Sequence, residues 1–336
     1  MSSLVESPLQ LLCAVEAHAA GITGRQIRLL ARQDVPALAR SVEALGRLGA
    51  PAGLSVAVGP PRLTTGSARH VLVGDAFSGV FQAAAVRGPS PEHLVVVDDG
   101  LATLDLADRL IAGEPLVRLV APTRPLRHAL GSLASRRVRR WAGEGRVTLF
   151  TMLPLGSDRH AALERLGVHV VEHSFEWLAS RDVPHDDERI DEPTVVVGSG
   201  LVADRLVHAD QYAAWLRGLA ADGPVRYIPH RRHDPLVTAV FEDLPGVQVD
   251  SPGAPVEVRL RGLRHGQRVV SLPSTSAVTL TRLLAHRDVP VVAQDVPPSW
   301  WTPRAAPALR EHLGLAVGLA QTAAATRGGA DRTWAA

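Results

Sequence analysis

Short runs of β-branched and aliphatic residues alternate along the chain with longer segments whose apolar positions recur every three to four residues. The first pattern predicts buried parallel strands and the second predicts crossover helices, so the chain reads as α/β. In the first half, strands are expected over Ser3–Glu6, Gln26–Ala31, Gly53–Val58, His70–Gly74, His93–Asp98, Val117–Val120, Val147–Thr151 and His169–Glu172. Helices are expected over Pro8–Ala20, Val35–Leu48, Ser78–Arg87, Leu101–Ala112, Ala134–Trp141 and Ala161–Leu166. A polar stretch from Ala179 to Pro193 carries six acidic residues, two prolines and no period, and reads as a linker. A second series follows, with strands over Thr194–Val197, Val225–Pro229, Val247–Asp250, Arg268–Leu272 and Val289–Val292. Its helices are Asp210–Leu219, Leu236–Glu242 and Ser276–Ala285, with a further segment around Pro255–Leu260.

Two doubly wound series in one chain predict a GT-B architecture of two Rossmann-like domains facing an interdomain cleft, an outline that other α/β families share. The expected division is a first domain over 1–185, a linker over 186–193 and a second domain over 194–305. A C-terminal helix in 306–336 is expected to pack back on the first domain and end in a frayed tail.

Composition changes this picture little. The chain has 336 residues, 46% of them hydrophobic and 21% charged, enough for two full cores. Every basic side chain other than histidine is arginine, with no lysine and no asparagine, a pattern of GC-rich coding that empties the arginine count of meaning for nucleic-acid binding. Aromatics at 4% argue against a nucleic-acid partner as well. The single cysteine, Cys13, excludes an internal disulfide and a cysteine-based zinc site. Glu6, Glu16 and His18 interrupt the N-terminal apolar run, so no signal peptide is expected, and no apolar run of 18 residues is present. A cytoplasmic location is therefore expected.

The chemistry is expected at the carboxyl ends of the strands. After the first strand come Glu6-Ser7-Pro8-Leu9-Gln10, in which Ser7 suits an N-cap and Pro8 a first helical turn, with Gln10 on the same loop. Three valines then run into Asp98-Asp99-Gly100. One acid serves to cap a helix; a second beside it suits a general base with a raised pKa. Val225–Ile228 leads into Pro229-His230-Arg231-Arg232, where the arginines suit an anion and should depress the histidine's pKa until a phosphate binds. Val269–Leu272 leads into Pro273-Ser274-Thr275-Ser276 at a helix start, a phosphate cradle of hydroxyls and backbone N–H groups. Glu257 alone reads as a solvated acid or as a partner for a ribose diol.

These pieces, in this order, resemble the bacterial sialyltransferases of glycosyltransferase family 52 and the related bacterial polysialyltransferases. The resemblance is carried by Glu6 to Gln10, Asp98-Asp99-Gly100, Val197-Gly198, Tyr227-Ile228-Pro229-His230, Pro255-Val256-Glu257 and Ser271 to Ser276. His230 lies 27 residues before Glu257, and Glu257 lies 17 before Ser274, spacings similar to those of that family. Arg231 departs from it, since the family has proline there, and Ser274-Thr275 stands for a serine pair.

The resemblance implies an inverting, metal-independent transferase that moves a sialic-acid-like sugar from a CMP donor to a glycan or polysaccharide acceptor. It implies Asp99 as general base, with Asp98 second, and His230 acting on the departing phosphate. Ser274, Thr275 and Ser276 with Gly198 and Arg231 would hold the donor, Glu257 its ribose, and Ser7, Pro8, Gln10 and Gly100 would line the cleft. No metal and no cofactor are implied, because the CMP-sugar is a co-substrate. Kdo or Kdn as the CMP-activated sugar, and a non-catalytic nucleotide- or glycan-binding protein, are the alternatives. The basic run Arg136, Arg137, Arg139 and Arg140 reads as a solvated helix face or as a peripheral contact with the inner face of a membrane.

Overall fold

A computed structural model describes residues 2–63, 70–118, 125–181 and 189–330. The chain divides into two compact units, Met1–Ser180 and Arg181–Ala336.

The first unit contains β1 (Ser2–Leu4), α1 (Pro8–Ala19), β2 (Ile27–Arg32), α2 (Pro36–Arg47), β3 (Leu54–Gly59), β4 (His70–Val73), α3 (Gly79–Arg87) and β5 (His93–Val97). It continues with α4 (Ala102–Ala112), α5 (Pro125–Gly143), β6 (Val147–Thr151), α6 (Ser157–Arg165), β7 (Val168–Glu172) and α7 (Glu176–Ala179). Five parallel strands run in the order β1-β4-β5-β6-β7, and β2 pairs with β3 in parallel. The two sheets meet at Val5, whose N–H donates to Leu30 O at 3.0 Å and whose carbonyl accepts from Arg32 N at 3.1 Å. The sequence of strands across the unit is therefore β3-β2-β1-β4-β5-β6-β7. Helices on both faces explain the unbroken apolar runs: Leu94 to Val97 are all buried.

The second unit contains β8 (Thr194–Val197), α8 (Gly200–Ala203), α9 (Ala209–Ala221), β9 (Val225–Ile228), α10 (Pro235–Glu242), β10 (Val247–Val249), α11 (Val256–Leu260), β11 (Arg268–Ser271), α12 (Thr275–Leu283), β12 (Val291–Ala293) and α13 (Pro307–Ala330). Its parallel sheet has the order β10-β9-β8-β11-β12. Val196, Tyr227, Val270 and Leu272 pack with Tyr212, Leu216 and Phe241 to fill one face. Strand order reverses between β1 and β4 in one unit and between β8 and β11 in the other. Those two switch points are where open α/β sheets bind ligands.

Several expectations need correcting. Residues 117 and 118 form no strand, and 119 and 120 lie outside the described residues. Helix α5 begins nine residues before the expected Ala134, because Gly131 lets its first half lie against Leu116: a Cβ there would sit 2.8 Å from Leu116 O. Residues 182–188, which include the first three of the expected linker, lie outside the described residues. Helix α13 is grouped with the second unit and packs there on α12 and β12. The basic run on α5 is largely consumed by structure. Arg137 donates to Gly88 O at the end of α3 (2.9 Å), and Arg139 donates to Leu110 O and Ile111 O at the end of α4. Arg140 pairs with Glu144 at 3.3 Å, which leaves Arg136 as the exposed member without such a contact among the described residues. Guanidinium groups spent on helix C-terminal carbonyls do not form a basic face. Among the described residues, no helix is long and apolar enough to cross a membrane.

Candidate active site

The first switch point gathers side chains from four segments. Ser7 caps α1 in an extended conformation, its Oγ accepting from Gln10 N at 3.3 Å, and Pro8 opens the helix. That cap accounts for both residues. It also fixes Gln10, which is only 2% exposed. Gln10 Oε1 accepts from Glu6 N at 2.7 Å, and Gln10 Nε2 donates to Asp99 Oδ1 at 2.7 Å. Gly74, just after β4, leaves room for this clamp, since a Cβ there would lie 2.3–2.4 Å from the Gln10 side chain. Gly74→Ala is accordingly expected to displace the Gln10 side chain and to destabilise the protein by about 1–3 kcal/mol, as urea unfolding would read.

The two acids after β5 separate sharply. Asp98 is fully buried, accepting from Thr151 Oγ1 at 2.7 Å and Met152 N at 2.5 Å, which ties β5 to the end of β6. Both of its oxygens are engaged there, which makes Asp99 the more accessible acid of the pair. Asp99 keeps a side chain 19% exposed. Neither acid caps α4, whose N-cap is Leu101 with no side-chain bond. Gly100 turns the chain between them and the helix at φ 65°, a left-handed conformation that favours glycine.

Burial pushes both carboxyl groups up to about 6, opposed in Asp98 by its hydrogen bonds and reinforced in Asp99 by the charge of Asp75. A carboxyl group raised above its ordinary 3.8 binds its proton more tightly folded than unfolded. Each such group therefore contributes stability at acid pH that is lost as the pH rises from about 4 through 6. Asp98→Asn removes that decline at one site: relative to the wild type it should gain roughly 2 kcal/mol on going from pH 4.5 to 7, measured by urea unfolding.

Two members of this site escaped the sequence reading. Asp75 follows Gly74 at the end of β4; the apolar run into Gly-Asp is the same signal that singled out Asp98-Asp99. Arg118 gave no signal, lying in a segment taken for a strand. Arg118 NH2 reaches Asp75 Oδ2 at 2.8 Å and Asp99 Oδ2 at 2.9 Å.

The second switch point is built from glycines, an imidazole and hydroxyls. A Cβ on Gly198 would lie 2.6 Å from Tyr227 Oη and 2.9 Å from His230 N, so glycine lets the ends of β8 and β9 approach. A Cβ on Gly200 would meet the His230 ring at 3.0–3.2 Å. His230 Nδ1 accepts from Arg232 N at 3.2 Å, which leaves the proton of the neutral ring on Nε2. This backbone bond holds the ring against its own loop. Burial, then Arg232, Arg231 and His233, lower the His230 pKa to about 4. Arg232 also pairs with Asp204 at 2.8 Å, and Arg231 is exposed.

Ser274 is the N-cap of α12 by backbone conformation, yet its Oγ does not cap the helix and, among the described residues, has no partner although it is shielded from solvent. Thr275 and Ser276 form the first turn. Glu257, in the first turn of α11, is buried and accepts from Thr279 Oγ1 at 2.6 Å; burial raises its pKa. It is thus a buried acid fastened to α12 and not a solvated one.

Among the described residues, two groups have metal-compatible spacing, Cys13 with Asp98 and His173, and Glu16 with His173 and Glu176. Their acids already serve the protein: both Asp98 oxygens accept hydrogen bonds, and Glu16 accepts from Trp177 N and Leu178 N at 2.9 and 2.8 Å.

Solved structures identify the fold. The chain is similar to TcCGT1 in complex with UDP, at 11% identity and a TM-score of 0.53, over 99% of this chain and 95% of that one. It is similar to LpCGTa in complex with UDP, at 12% identity and a TM-score of 0.50, over 99% and 95%. The chain has the GT-B fold of glycosyltransferases, two Rossmann-like domains in one polypeptide. No protein-family model matches it, and no curated protein matches it in sequence.

Proposed function

We propose that this protein is an inverting, metal-independent glycosyltransferase whose donor is a CMP-activated, sialic-acid-like sugar and whose acceptor is a glycan hydroxyl. The observation that carries the reading is that each unit presents half of the chemistry at its own switch point. The first offers a partly exposed carboxylate held by Gln10. The second offers an imidazole N–H, a hydroxyl without a partner among the described residues and a helix N-terminus suited to one phosphate.

In this reading Asp99 takes the proton of the acceptor hydroxyl. The electron pair left on that oxygen attacks the anomeric carbon, and the bond from that carbon to the phosphate oxygen breaks with its electrons leaving on the phosphate. His230 Nε2–H, Ser274, Thr275 and the N–H groups of α12 stabilise the charge that develops there. Glu257 holds the ribose, and Ser276, Gly198 and Arg231 border the phosphate. Arg118 already supplies the positive charge between Asp75 and Asp99, so no metal ion is assigned to that pair.

A UDP-sugar donor is the second reading. Arg231 and Arg232 beside His230 would suit another phosphate, and the two structural neighbours are complexes with UDP. Incubation with CMP-sialic acid, CMP-Kdo, CMP-Kdn and UDP-glucose over a glycan array, with mass spectrometry of the products, separates them. Release of CMP with a matching gain in acceptor mass supports the first reading. Release of UDP alone supports the second, and nucleotide binding without turnover supports a non-catalytic protein.

A further inference from the structure

Asp99 accepts one hydrogen bond on each oxygen, from Gln10 Nε2 and from Arg118 NH2, and each oxygen keeps a second lone pair. The same Arg118 nitrogen also serves Asp75, whose other oxygen accepts from Phe77 N at 2.7 Å. The guanidinium lies over the Phe77 ring, 5.6 Å from its centroid, and is 46% exposed. A carboxylate paired with an arginine of its own is a weak base, because the cation stabilises the ionised form. Sharing the cation weakens that effect.

We propose that Asp75 and Arg118 are positioning residues for Asp99: Arg118 holds the carboxylate in place, and Asp75 draws off part of the guanidinium's charge, so Asp99 stays basic enough to accept a hydroxyl proton. The other groups facing this bridge do not replace either function. Glu6 is paired with Arg32 at 3.0 Å, and Gln10 is neutral. Asp98, next in the chain, is buried against Thr151 and Met152, with His173 Nε2 3.9 Å away. Burial raises Asp99 most, Asp75 raises it further, and Arg118 lowers it, which agrees in sign with the geometry.

The proposal rests on Asp99 being the base, and its test keeps the two claims apart. In protein carrying ¹³C-labelled aspartate, with Asp99→Asn to assign the signal, the titration midpoint of the Asp99 carboxyl is followed by NMR without turnover. Asp75→Asn should move it down, and Arg118→Gln should move it up, each by about one pH unit. Arg118→Lys, which keeps the charge, should restore most of the second shift and guards against a folding defect. The acid limb of the transfer rate should move with each midpoint. Midpoints that stay put, or that move the same way in both variants, overturn the bridge. If they move as stated while Asp99→Asn still transfers sugar at the wild-type rate, the bridge stands and the assignment of the base falls.

Discussion

Replacing Asp99 by Asn should lower transfer by about 10²- to 10⁴-fold while nucleotide binding persists. The amide retains the shape of the carboxylate and its contact with Arg118 through the carbonyl, but its NH2 then faces the Gln10 Nε2 donor, so the rate is read beside the variant's urea-unfolding stability. The pH profile gives a second check. With Asp99 raised to about 6, the wild-type rate should fall as the pH drops through that value, because the protonated acid accepts nothing. Near-normal transfer by Asp99→Asn at pH 7 would exclude this carboxylate. Asp98→Asn is the internal control: it changes the neighbouring acid, in the core, and should leave the limb in place.

His230→Ala should cost about 10²- to 10³-fold in kcat, the usual loss when one preorganised donor to a developing anion is removed. At pH 7 a histidine depressed to about 4 is neutral, so in the free protein it offers a hydrogen bond and no charge. A phosphate on Nε2 raises its affinity for a proton and makes the ring a better stabiliser as the leaving group forms. His230→Gln, which keeps an N–H donor, should recover part of the loss. Single-turnover rates with saturating donor would read the difference, and equal rates for the Ala variant and the wild type would remove His230 from the chemistry.

Much of the architecture was legible in the pattern of apolar positions. Val95–Val97 and Val195–Val197 read as buried parallel strands because apolar runs of that length, free of alternation, suit a sheet covered on both faces. The residues at strand ends were legible for the same reason: an apolar run that stops in Asp-Asp-Gly or Pro-His marks where the chain leaves the sheet. What the sequence could not separate was which acid of the pair points inward. That depends on Thr151 and Met152, more than fifty residues away and brought beside β5 by strand pairing. Arg118 was hidden because its partners are distant in sequence, and in a chain rich in arginine one more arginine carries no signal. The front half of α5 was missed because Gly131 reads as a helix breaker until its packing against Leu116 is known.

Cys13 is fully buried in α1, on the helix that also carries Gln10. As the sole thiol of the chain, it makes the protein its own stopwatch: a thiol reagent added under native conditions reacts only when that helix lifts from its sheet. The labelling rate would therefore time the opening of the first unit alone, leaving the second silent, and would reveal whether an added ligand tightens it.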